Sequence, residues 1–356
     1  MSLPGVGQPF VVGSLDTVIG AVPQVSSSLT WADHWGTVKA RWGAGRMSYK
    51  IDPGLYALGN PDADSPVLVS ANYKMSFDRL REALPGKDAW ILVLDTKGIN
   101  VWCAAGKGTF GTSELVSRIQ SSNLSKVVSH RKLILPQLAA PGVAAHLVKK
   151  LSGFTVIYGP VEARDLPTFF AGGMKATSGM RRKTFTLRER FVLIPVEFVI
   201  AMKKAVITIP ILVLAAGFLR PGNFWTNVSD YGLYSALALL IGVLAGTVLA
   251  PLLLPWLPGR AFAVKGSSIG LFAAIGWAAA RFRTWDTWAG RLDTVAWLLI
   301  IPAVAAYLAM NFTGASTYTS LSGVKKEIRL ALPFQIGACA LGLVIWFGAL
   351  FSAIRG

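Results

Sequence analysis

Long apolar runs, separated by basic residues, dominate the chain from about residue 190 onward. About 20 predominantly apolar residues suffice for a helix to cross a bilayer. Five segments meet this requirement, roughly Ile200–Leu219, Tyr231–Trp256, Phe262–Ala280, Val295–Phe312 and Gln335–Ile354. The hydrophobic content of 53% over 356 residues is also high for a soluble protein of this length. The sequence therefore predicts an all-α transmembrane bundle of about five helices.

The basic residues of the second half lie beside these apolar segments. The densest group precedes the first segment and contains Arg181, Arg182, Lys183, Arg188 and Arg190. The positive-inside rule places such a group in the cytoplasm, and the N-terminal stretch does not have the pattern of a cleaved signal peptide. We therefore expect a multi-pass protein of the cytoplasmic (inner) membrane with a cytoplasmic N-terminal domain. Topology then explains the net charge of +17, and nucleic acid is not an expected partner.

The chain is predicted to have three parts: an N-terminal domain over residues 1–180, a basic, amphipathic linker over 181–199 and a transmembrane domain over 200–356. Charged residues interrupt the start of the first apolar segment, so Phe191–Met202 is expected to lie along the membrane interface. The predicted spans have no Asp, Glu or His at their centres, which disfavours a transporter. Two Gly-x-x-x-Gly pairs, Gly242 with Gly246 and Gly266 with Gly270, predict close helix packing in a compact bundle or a homo-oligomer.

Short apolar runs alternate with helical patterns in the N-terminal domain. The predicted strands are Val67–Ser70, Ala89–Leu94, Lys126–Ser129 and Phe154–Tyr158, and the predicted helices are Phe77–Leu84, Ser113–Gln120 and Val143–Leu151. Apolar strands that alternate with amphipathic helices favour an α/β, Rossmann-like fold, a parallel sheet with flanking helices. Ligands of such sheets bind beyond the carboxyl ends of the strands.

The stretch Trp31–Asn60 has no clear period. It contains three tryptophans and the predicted turn Pro53–Tyr56. Two interpretations stay open: an N-terminal arm that packs on the sheet, or a flap that contributes to a ligand pocket.

Two cysteines occur, Cys103 and Cys339, and they fall in different predicted domains of a protein expected in a reducing compartment. A disulfide between them is therefore not expected. The three histidines, His34, His130 and His146, lack metal-ligand spacing. Neither a zinc site nor an iron–sulfur cluster is predicted in this chain.

The segment Gly98–Thr109 combines a single thiol with several small residues. Asn100 is predicted to cap a short helix and to place Cys103 in its first turn, where the helix dipole favours a thiolate. Ala104, Ala105 and Gly106 reduce side-chain bulk around the sulfur. The residues alone leave two interpretations, a functional thiol or a small buried residue.

The segment Asn100–Lys107 resembles the cap-helix motif of the corrinoid proteins of microbial mercury methylation, the HgcA family. Pro53–Tyr56, Leu92–Gly98 and Pro136–Leu138 are similar to the same family. They also resemble, more distantly, the corrinoid domain of the acetyl-CoA pathway's corrinoid iron–sulfur protein. That relative is soluble and has its own cluster cysteines, so the five predicted spans favour the mercury family.

The resemblance implies a corrinoid-dependent methyltransferase. In the family, the cysteine at the position of Cys103 is the lower axial ligand of the corrinoid (cobalamin-type) cobalt. The methyl group passes from methyl-cobalt to Hg(II), which gives methylmercury, and a methylated-folate-dependent donor system restores the methyl group. A companion ferredoxin with two 4Fe-4S clusters re-reduces the cobalt.

The resemblance also implies the residues that hold the cofactor. Those beside the corrin ring are Asn100, Val101, Trp102, Cys103, Ala104, Ala105, Gly106, Lys107 and Gly108. Weaker candidates for contacts to the ring amides and the nucleotide tail are Asn72, Thr96, His130, Gln137 and Gly159. Turn chemistry accounts equally well for Asn, Thr and Gly at strand ends.

Two other functions are compatible with the sequence. One is a membrane-tethered corrinoid carrier or sensor without catalysis, and the other is a transporter with a cytoplasmic regulatory domain.

Overall fold

The structure, a computed structural model, describes residues 3–314 and 321–352. It divides into two compact units. We call residues 1–40 and 44–184 the N-terminal unit, and residues 41–43 and 185–356 the C-terminal unit.

The N-terminal unit is built around one mixed sheet. Its strands are β1 (Val11–Thr17), β2 (Gly20–Val25), β3 (Gly54–Leu58), β4 (Val67–Ala71), β5 (Ala89–Leu94), β6 (Lys132–Leu135) and β7 (Thr155–Tyr158). The strand order is β1-β2-β3-β5-β4-β6-β7. Strands β5, β4, β6 and β7 are mutually parallel, whereas β1 pairs with β2, and β3 with β5, in antiparallel register. The α/β fold is therefore as predicted, with antiparallel pairs added to the parallel part.

Helices cover both faces of this sheet. They are α1 (Trp31–Arg41), α2 (Lys74–Glu82), α3 (Val101–Lys107), α4 (Thr112–Ser121), α5 (Leu124–Val127), α6 (Ala145–Ser152) and α7 (Leu166–Ala171). Side chains alternate along β5: Leu92 and Leu94 belong to the hydrophobic core on one face, and Ile91 and Val93 to the core on the other. This alternation is the two-residue period of a strand buried on both faces.

The predicted strand Lys126–Ser129 is wrong. Residues Leu124–Val127 form the short helix α5, and the strand β6 lies further along at Lys132–Leu135. Leu124 and Val127 are both buried three residues apart, as on one face of a helix. A run of two valines is too short to distinguish a strand from a helix by its period.

The stretch Trp31–Asn60 contains α1 and β3, although its sequence has no clear period. The predicted turn Pro53–Tyr56 is wrong, because Gly54 already begins β3. Gly54 pairs with Val93 in antiparallel register, so the residues before Gly54 lie at the carboxyl edge of the parallel strands. A Cβ atom on Gly98, in the loop after β5, would lie 3.3 Å from the Met47 carbonyl oxygen. The segment therefore borders the edge where ligands of such sheets bind.

A buried ion cluster joins α1 to α2. Lys74 Nζ contacts Asp33 at 2.6 Å and Asp78 at 2.7 Å, and an Arg81 guanidinium nitrogen lies 2.8 Å from Asp33 and 2.9 Å from Asp78. Burial raises the pKa of Asp33, but hydrogen bonds and the charge of its cationic partners outweigh this and hold the pKa well below its ordinary value. Two carboxylates thus balance two cations in the core.

The C-terminal unit consists of helices. They are α8 (Leu187–Leu219), α9 (Phe224–Asn227), α10 (Leu233–Leu244), α11 (Ala250–Leu252), α12 (Phe262–Ala280), α13 (Trp288–Met310) and α14 (Leu321–Ser352). Helices α9 to α11 are joined by the π-helical stretches Val228–Gly232 and Ala245–Leu249 into one apolar segment, Phe224–Leu252.

Five helical segments in the described part of the chain are long and apolar enough to cross a membrane. This confirms the predicted number. The first segment begins at Leu187, not near residue 200, because α8 continues through the residues predicted as a linker and an interfacial helix. The predicted end of the last segment, residues 353–354, lies outside the described residues.

The glycine pairs of the C-terminal unit pack against α13. A Cβ atom on Gly246 or on Gly266 would lie 2.7 Å from the Ala305 carbonyl oxygen, and one on Gly270 would lie 2.7 Å from Pro302 Cα. Only glycine permits such close backbone approach. The pairs thus serve a compact bundle within one chain, the first of the two predicted alternatives.

An acidic residue lies near the beginning of one span, five residues after Trp288, and not at its centre. Asp293 is buried in α13 and forms an ion pair with the buried Arg281. The span begins at Trp288, earlier than predicted, and therefore includes Asp293.

Two further cations of the C-terminal unit, Arg190 and Lys265, are buried. Arg190 donates to the Leu252 carbonyl oxygen at 2.6 Å, and Lys265 donates to the Leu254 and Leu257 carbonyl oxygens at 2.7 Å. Both neutralise the carbonyl end of a helix. The buried basic residues of this unit therefore stabilise helix ends, whereas the sequence predicted a role in membrane topology alone.

Candidate functional site

The loop after β5 leads into α3 at the carboxyl edge of the parallel strands. Asn100 precedes α3, and its side-chain oxygen accepts a hydrogen bond from the Cys103 backbone N–H at 2.9 Å. The predicted N-cap is therefore confirmed, and Cys103 lies in the first turn. The Cys103 side chain is half-buried, so it is neither fully exposed nor enclosed in the core.

The two faces of α3 differ in exposure. Ala104 and Ala105 are 0% and 4% exposed and belong to the hydrophobic core. Val101 is half-buried and packs against the same core. The outward face holds the half-buried or exposed residues Trp102, Cys103, Gly106 and Lys107. The side chains of Ala104 and Ala105 therefore fill the space between α3 and the sheet, and their place beside the ring stays a prediction.

Close backbone packing fixes the end of α3. Gly108 ends the helix in the left-handed conformation, with φ of 81°. A Cβ atom on Gly142 would lie 2.3 Å from the Phe110 carbonyl oxygen and 3.0 Å from the backbone of Ala105. The loop after β6 can therefore approach α3 only with glycine at position 142.

Sequence reasoning missed the residues that hold this loop. The Tyr158 hydroxyl donates to the Val143 carbonyl oxygen at 2.6 Å, and the Thr112 hydroxyl accepts from the Ala144 N–H at 2.9 Å. The Pro-Gly pair at 141–142 is the signal that could have pointed to the close approach.

Asn72 and Thr96 face each other across the ends of β4 and β5. They are 2% and 0% exposed. The Asn72 side-chain oxygen accepts from the Thr96 N–H at 3.1 Å and from the Gly98 N–H at 2.9 Å, and its amide nitrogen donates to Asp95 at 3.2 Å. The Thr96 hydroxyl lies 2.6 Å from the Ile99 carbonyl oxygen. Both side chains are engaged by the loop that leads to α3.

Gln137 and Gly159 follow β6 and β7 at the same edge. The Gly159 N–H donates to the Leu135 carbonyl oxygen at 2.8 Å, and a Cβ atom there would lie 3.2 Å from Ile134 Cγ2. Gln137 is half-buried and its side-chain oxygen accepts from Arg181 at 3.2 Å. Gly159 thus lies at the strand end predicted for it, whereas Gln137 follows β6, a strand that the sequence misplaced.

His130 lies at the opposite edge. Since β6 begins at Lys132, His130 precedes the strand and does not follow it. Its Nε2 atom lies 3.0 Å from the Ser65 carbonyl oxygen, just before β4. The placement of His130 at a carboxyl strand end was wrong because it depended on the strand at residues 126–129.

The Asp95 carboxylate lies in the loop before α3. Burial raises the pKa of Asp95, but its ion pair and hydrogen bonds with Lys97 outweigh this and keep the pKa below its ordinary value. The Asp95 N–H donates to Glu114 at 2.8 Å, and Glu114 pairs with Arg118. The loop therefore carries a fixed carboxylate that is already neutralised.

The donor set around Cys103 limits the metal chemistry. The described residues contain no group of three or more His, Cys, Asp or Glu side chains that could hold a metal ion. A single sulfur on an outward helix face suits a metal whose other positions are filled by a macrocycle, as with axial ligands of haem. The residues present are consistent with one axial ligand to such a cofactor.

The N-terminal unit also matches a known family. Residues 42–170 match the model of the CO dehydrogenase/acetyl-CoA synthase delta subunit. All residues of the candidate site lie in the matched region, and the five apolar segments lie outside it.

Individual relatives agree with this match, and each is a gamma subunit of an acetyl-CoA decarbonylase/synthase complex. The subunit from Methanopyrus kandleri is 32% identical over 126 residues, which cover 35% of this chain and 27% of the relative. The subunit from Archaeoglobus fulgidus is 30% identical over 120 residues, covering 33% and 25%. The gamma 2 subunit from Methanosarcina thermophila is 33% identical over 129 residues, covering 35% and 27%. This chain thus spans about a quarter of the length of the curated relatives it matches.

Proposed function

We propose that this chain is a membrane-anchored, corrinoid-dependent methyltransferase whose methyl acceptor is Hg(II). Cys103 would supply the sulfur that holds the corrinoid cobalt. The observation that carries the proposal is the capped first turn of α3, which presents one half-buried sulfur at the ligand-binding edge of the sheet. The match of residues 42–170 to an acetyl-CoA synthase family supports the corrinoid part of the proposal.

The corrinoid, when bound, supplies the cobalt that carries the methyl group. The residues of this chain position it. Cys103 provides the sulfur donor, and Gly106, three residues on, has no side chain to obstruct a flat ring beside that sulfur. Ala104 and Ala105 anchor the helix in the core, so the sulfur is held on a rigid element.

Hg(II) as the acceptor rests on the resemblance of Asn100–Lys107 and on the five apolar segments. The chain has only two cysteines, too few for a 4Fe-4S cluster of the usual four-cysteine type. Electrons must therefore come from outside, and a ferredoxin with two 4Fe-4S clusters is the proposed source. A methylated folate system is the proposed methyl donor.

The proposed location is the cytoplasmic membrane, with the N-terminal unit in the cytoplasm. The exposed basic residues support this orientation. With five spans and Arg188 on the cytoplasmic side, Arg260, Lys325 and Lys326 are exposed on the same side, and Arg283 and Arg291 on the opposite side.

The direct test is methylmercury formation by the full chain, supplied anaerobically with a corrinoid, the methyl donor, the ferredoxin and Hg(II). We expect Cys103→Ala to lower the product to background and the control Cys339→Ala to retain most activity. Cys103→His should keep the corrinoid but form less methylmercury, because imidazole is a neutral and weaker donor. Full activity of Cys103→Ala would contradict the proposal, and a bound corrinoid without any product would favour the carrier or sensor.

A further inference from the structure

We propose that Asn72 is the positioning residue that sets the place of Cys103, acting through the loop between β5 and α3. The inference rests on the proposed function, since it assigns Asn72 a role in presenting the cobalt ligand. It changes the role expected from the sequence, in which Asn72 contacts the cofactor itself.

The Asn72 side chain is already engaged by the protein. Its oxygen accepts two backbone N–H groups, those of Thr96 and Gly98, and its amide nitrogen donates to Asp95. The residue is 2% exposed. A buried amide with these partners belongs to the protein's internal hydrogen-bond network.

The loop that Asn72 holds has an uncommon backbone. Lys97 and Gly98 both adopt positive φ, of 60° and 72°. Positive φ costs free energy at Lys97, because Lys97 has a Cβ atom and glycine has none. Other contacts must offset that cost. The Thr96 and Gly98 N–H groups donate to the Asn72 side-chain oxygen, so these two hydrogen bonds fix the residues on either side of Lys97.

The loop continues directly into the cap of α3. The Thr96 hydroxyl reaches the Ile99 carbonyl oxygen at 2.6 Å, and the next residue, Asn100, accepts the Cys103 N–H at 2.9 Å. A chain of hydrogen bonds therefore runs from the end of β4 to the first turn of α3. Without Asn72 the start of α3, and with it the sulfur, loses its fixed position.

Asn72 itself is anchored independently of the loop side chains. Its backbone N–H donates to the Leu94 carbonyl oxygen at 3.0 Å, and its carbonyl oxygen accepts from Ile51 at 2.9 Å. The side chain thus projects from a fixed point of the sheet, as a positioning residue requires.

The test combines amide hydrogen exchange with the visible spectrum of the bound corrinoid, on the full chain. We expect Asn72→Ala to speed exchange of the Gly98 amide about tenfold, the effect of one lost hydrogen bond. Asn72→Asp keeps an oxygen for both N–H groups but loses the donor to Asp95 and sets a second carboxylate beside it. Its exchange should fall between the wild type and Asn72→Ala.

Ser70→Ala is the matched control, since Ser70 is a buried polar residue of β4, two positions before Asn72, and should leave the loop unchanged. In the corrinoid-loaded protein, Asn72→Ala should lose the spectral signature of sulfur ligation that the control keeps. If Asn72→Ala folds and its Gly98 exchange matches the control, the positioning role is wrong. If Asn72→Ala does not fold, Asn72→Asp is tested by amide exchange at Gly98 and by the corrinoid spectrum. Wild-type exchange at Gly98 together with lost sulfur ligation would overturn the proposal.

The two proposals fail in different ways. A wild-type chain that binds no corrinoid would contradict the proposed function. Faster exchange in the Asn72 variants would still show that Asn72 holds the loop between β5 and α3. Faster exchange together with unchanged sulfur ligation would show that the hydrogen bonds to Asn72 do not position Cys103.

Discussion

The small residues of the C-terminal unit and those of α3 differ in what they contact. Gly246, Gly266 and Gly270 face the backbone of α13, and helix packing accounts for all three. On α3, packing accounts for Ala104 and Ala105, which are in the core, but Gly106 and Cys103 are on the outward face. A small residue on the outward face of a helix is the stronger indication of a ligand site.

The two units also bury charge differently. The N-terminal unit balances two carboxylates against two cations within one cluster. The C-terminal unit has one such pair, Arg281 with Asp293, but Arg190 and Lys265 are held there by carbonyl oxygens at a helix end. The first arrangement depends on each carboxylate, whereas the second depends on the helix backbone.

The largest effect on stability is expected at Asp33. Asp33→Asn leaves Lys74 and Arg81 with one carboxylate, and breaking a buried pair in this way costs about 3–5 kcal/mol. Amide exchange of α2 in the full chain measures the loss. The control Glu82→Gln removes an exposed ion pair with Arg79 and should change stability by less than about 1 kcal/mol. Equal exchange in both variants would mean that the cluster does not stabilise the unit.

The same cluster predicts a pH dependence. The pKa of Asp33 is lower in the folded state than in the unfolded chain, so its stabilising effect is complete above the unfolded value, about 4, and is lost as the pH falls below it. The stability difference between the wild type and Asp33→Asn should therefore be constant from pH 7 to about pH 5 and shrink below about pH 4. A difference that grows on acidification would have the wrong sign for this account.

A smaller effect is expected at the glycines that face α13. Gly266→Ala forces a methyl group against the Ala305 carbonyl oxygen and should lower the stability of the C-terminal unit by about 1–3 kcal/mol. Thermal unfolding in detergent measures the change. Gly276→Ala is the control on the same helix, because a Cβ atom there meets nothing within 4 Å. If both variants unfold at the same temperature, the glycine packing of α13 is not close.

The smallest effect on the fold is expected at Gly106. Gly106→Ala should stabilise α3 by up to about 1 kcal/mol, since alanine favours a helix more than glycine does. The same methyl group lies on the outward face beside Cys103 and should weaken corrinoid binding about tenfold, the effect of a moderate steric conflict. Titration of the full chain with a corrinoid measures it. Unchanged affinity would contradict the proposed place of the ring.

Much of the fold could be predicted from the sequence. The long apolar runs predict the five membrane-length segments, and the short apolar runs between helical patterns predict the strands β4, β5 and β7. Strand β6 was misplaced because Val127 and Val128 form an apolar pair too short to show a period. The antiparallel strand β3 was missed because Gly54 at its start resembles a turn signal.

Less of the candidate site could be predicted. The cap by Asn100 follows from local sequence, because it joins residues three positions apart. The role of Asn72 depends on contacts to residues 23 to 26 positions away, and no local pattern reveals them. His130 was placed at the wrong edge as a consequence of the misplaced strand.

Cobalt X-ray absorption spectroscopy of the corrinoid-loaded full chain tests the central claim most directly. The account predicts one sulfur neighbour of cobalt in the wild type and in Cys339→Ala, and none in Cys103→Ala. A cobalt without sulfur in the wild type, or with sulfur in Cys103→Ala, would contradict the assignment of Cys103 as the axial ligand.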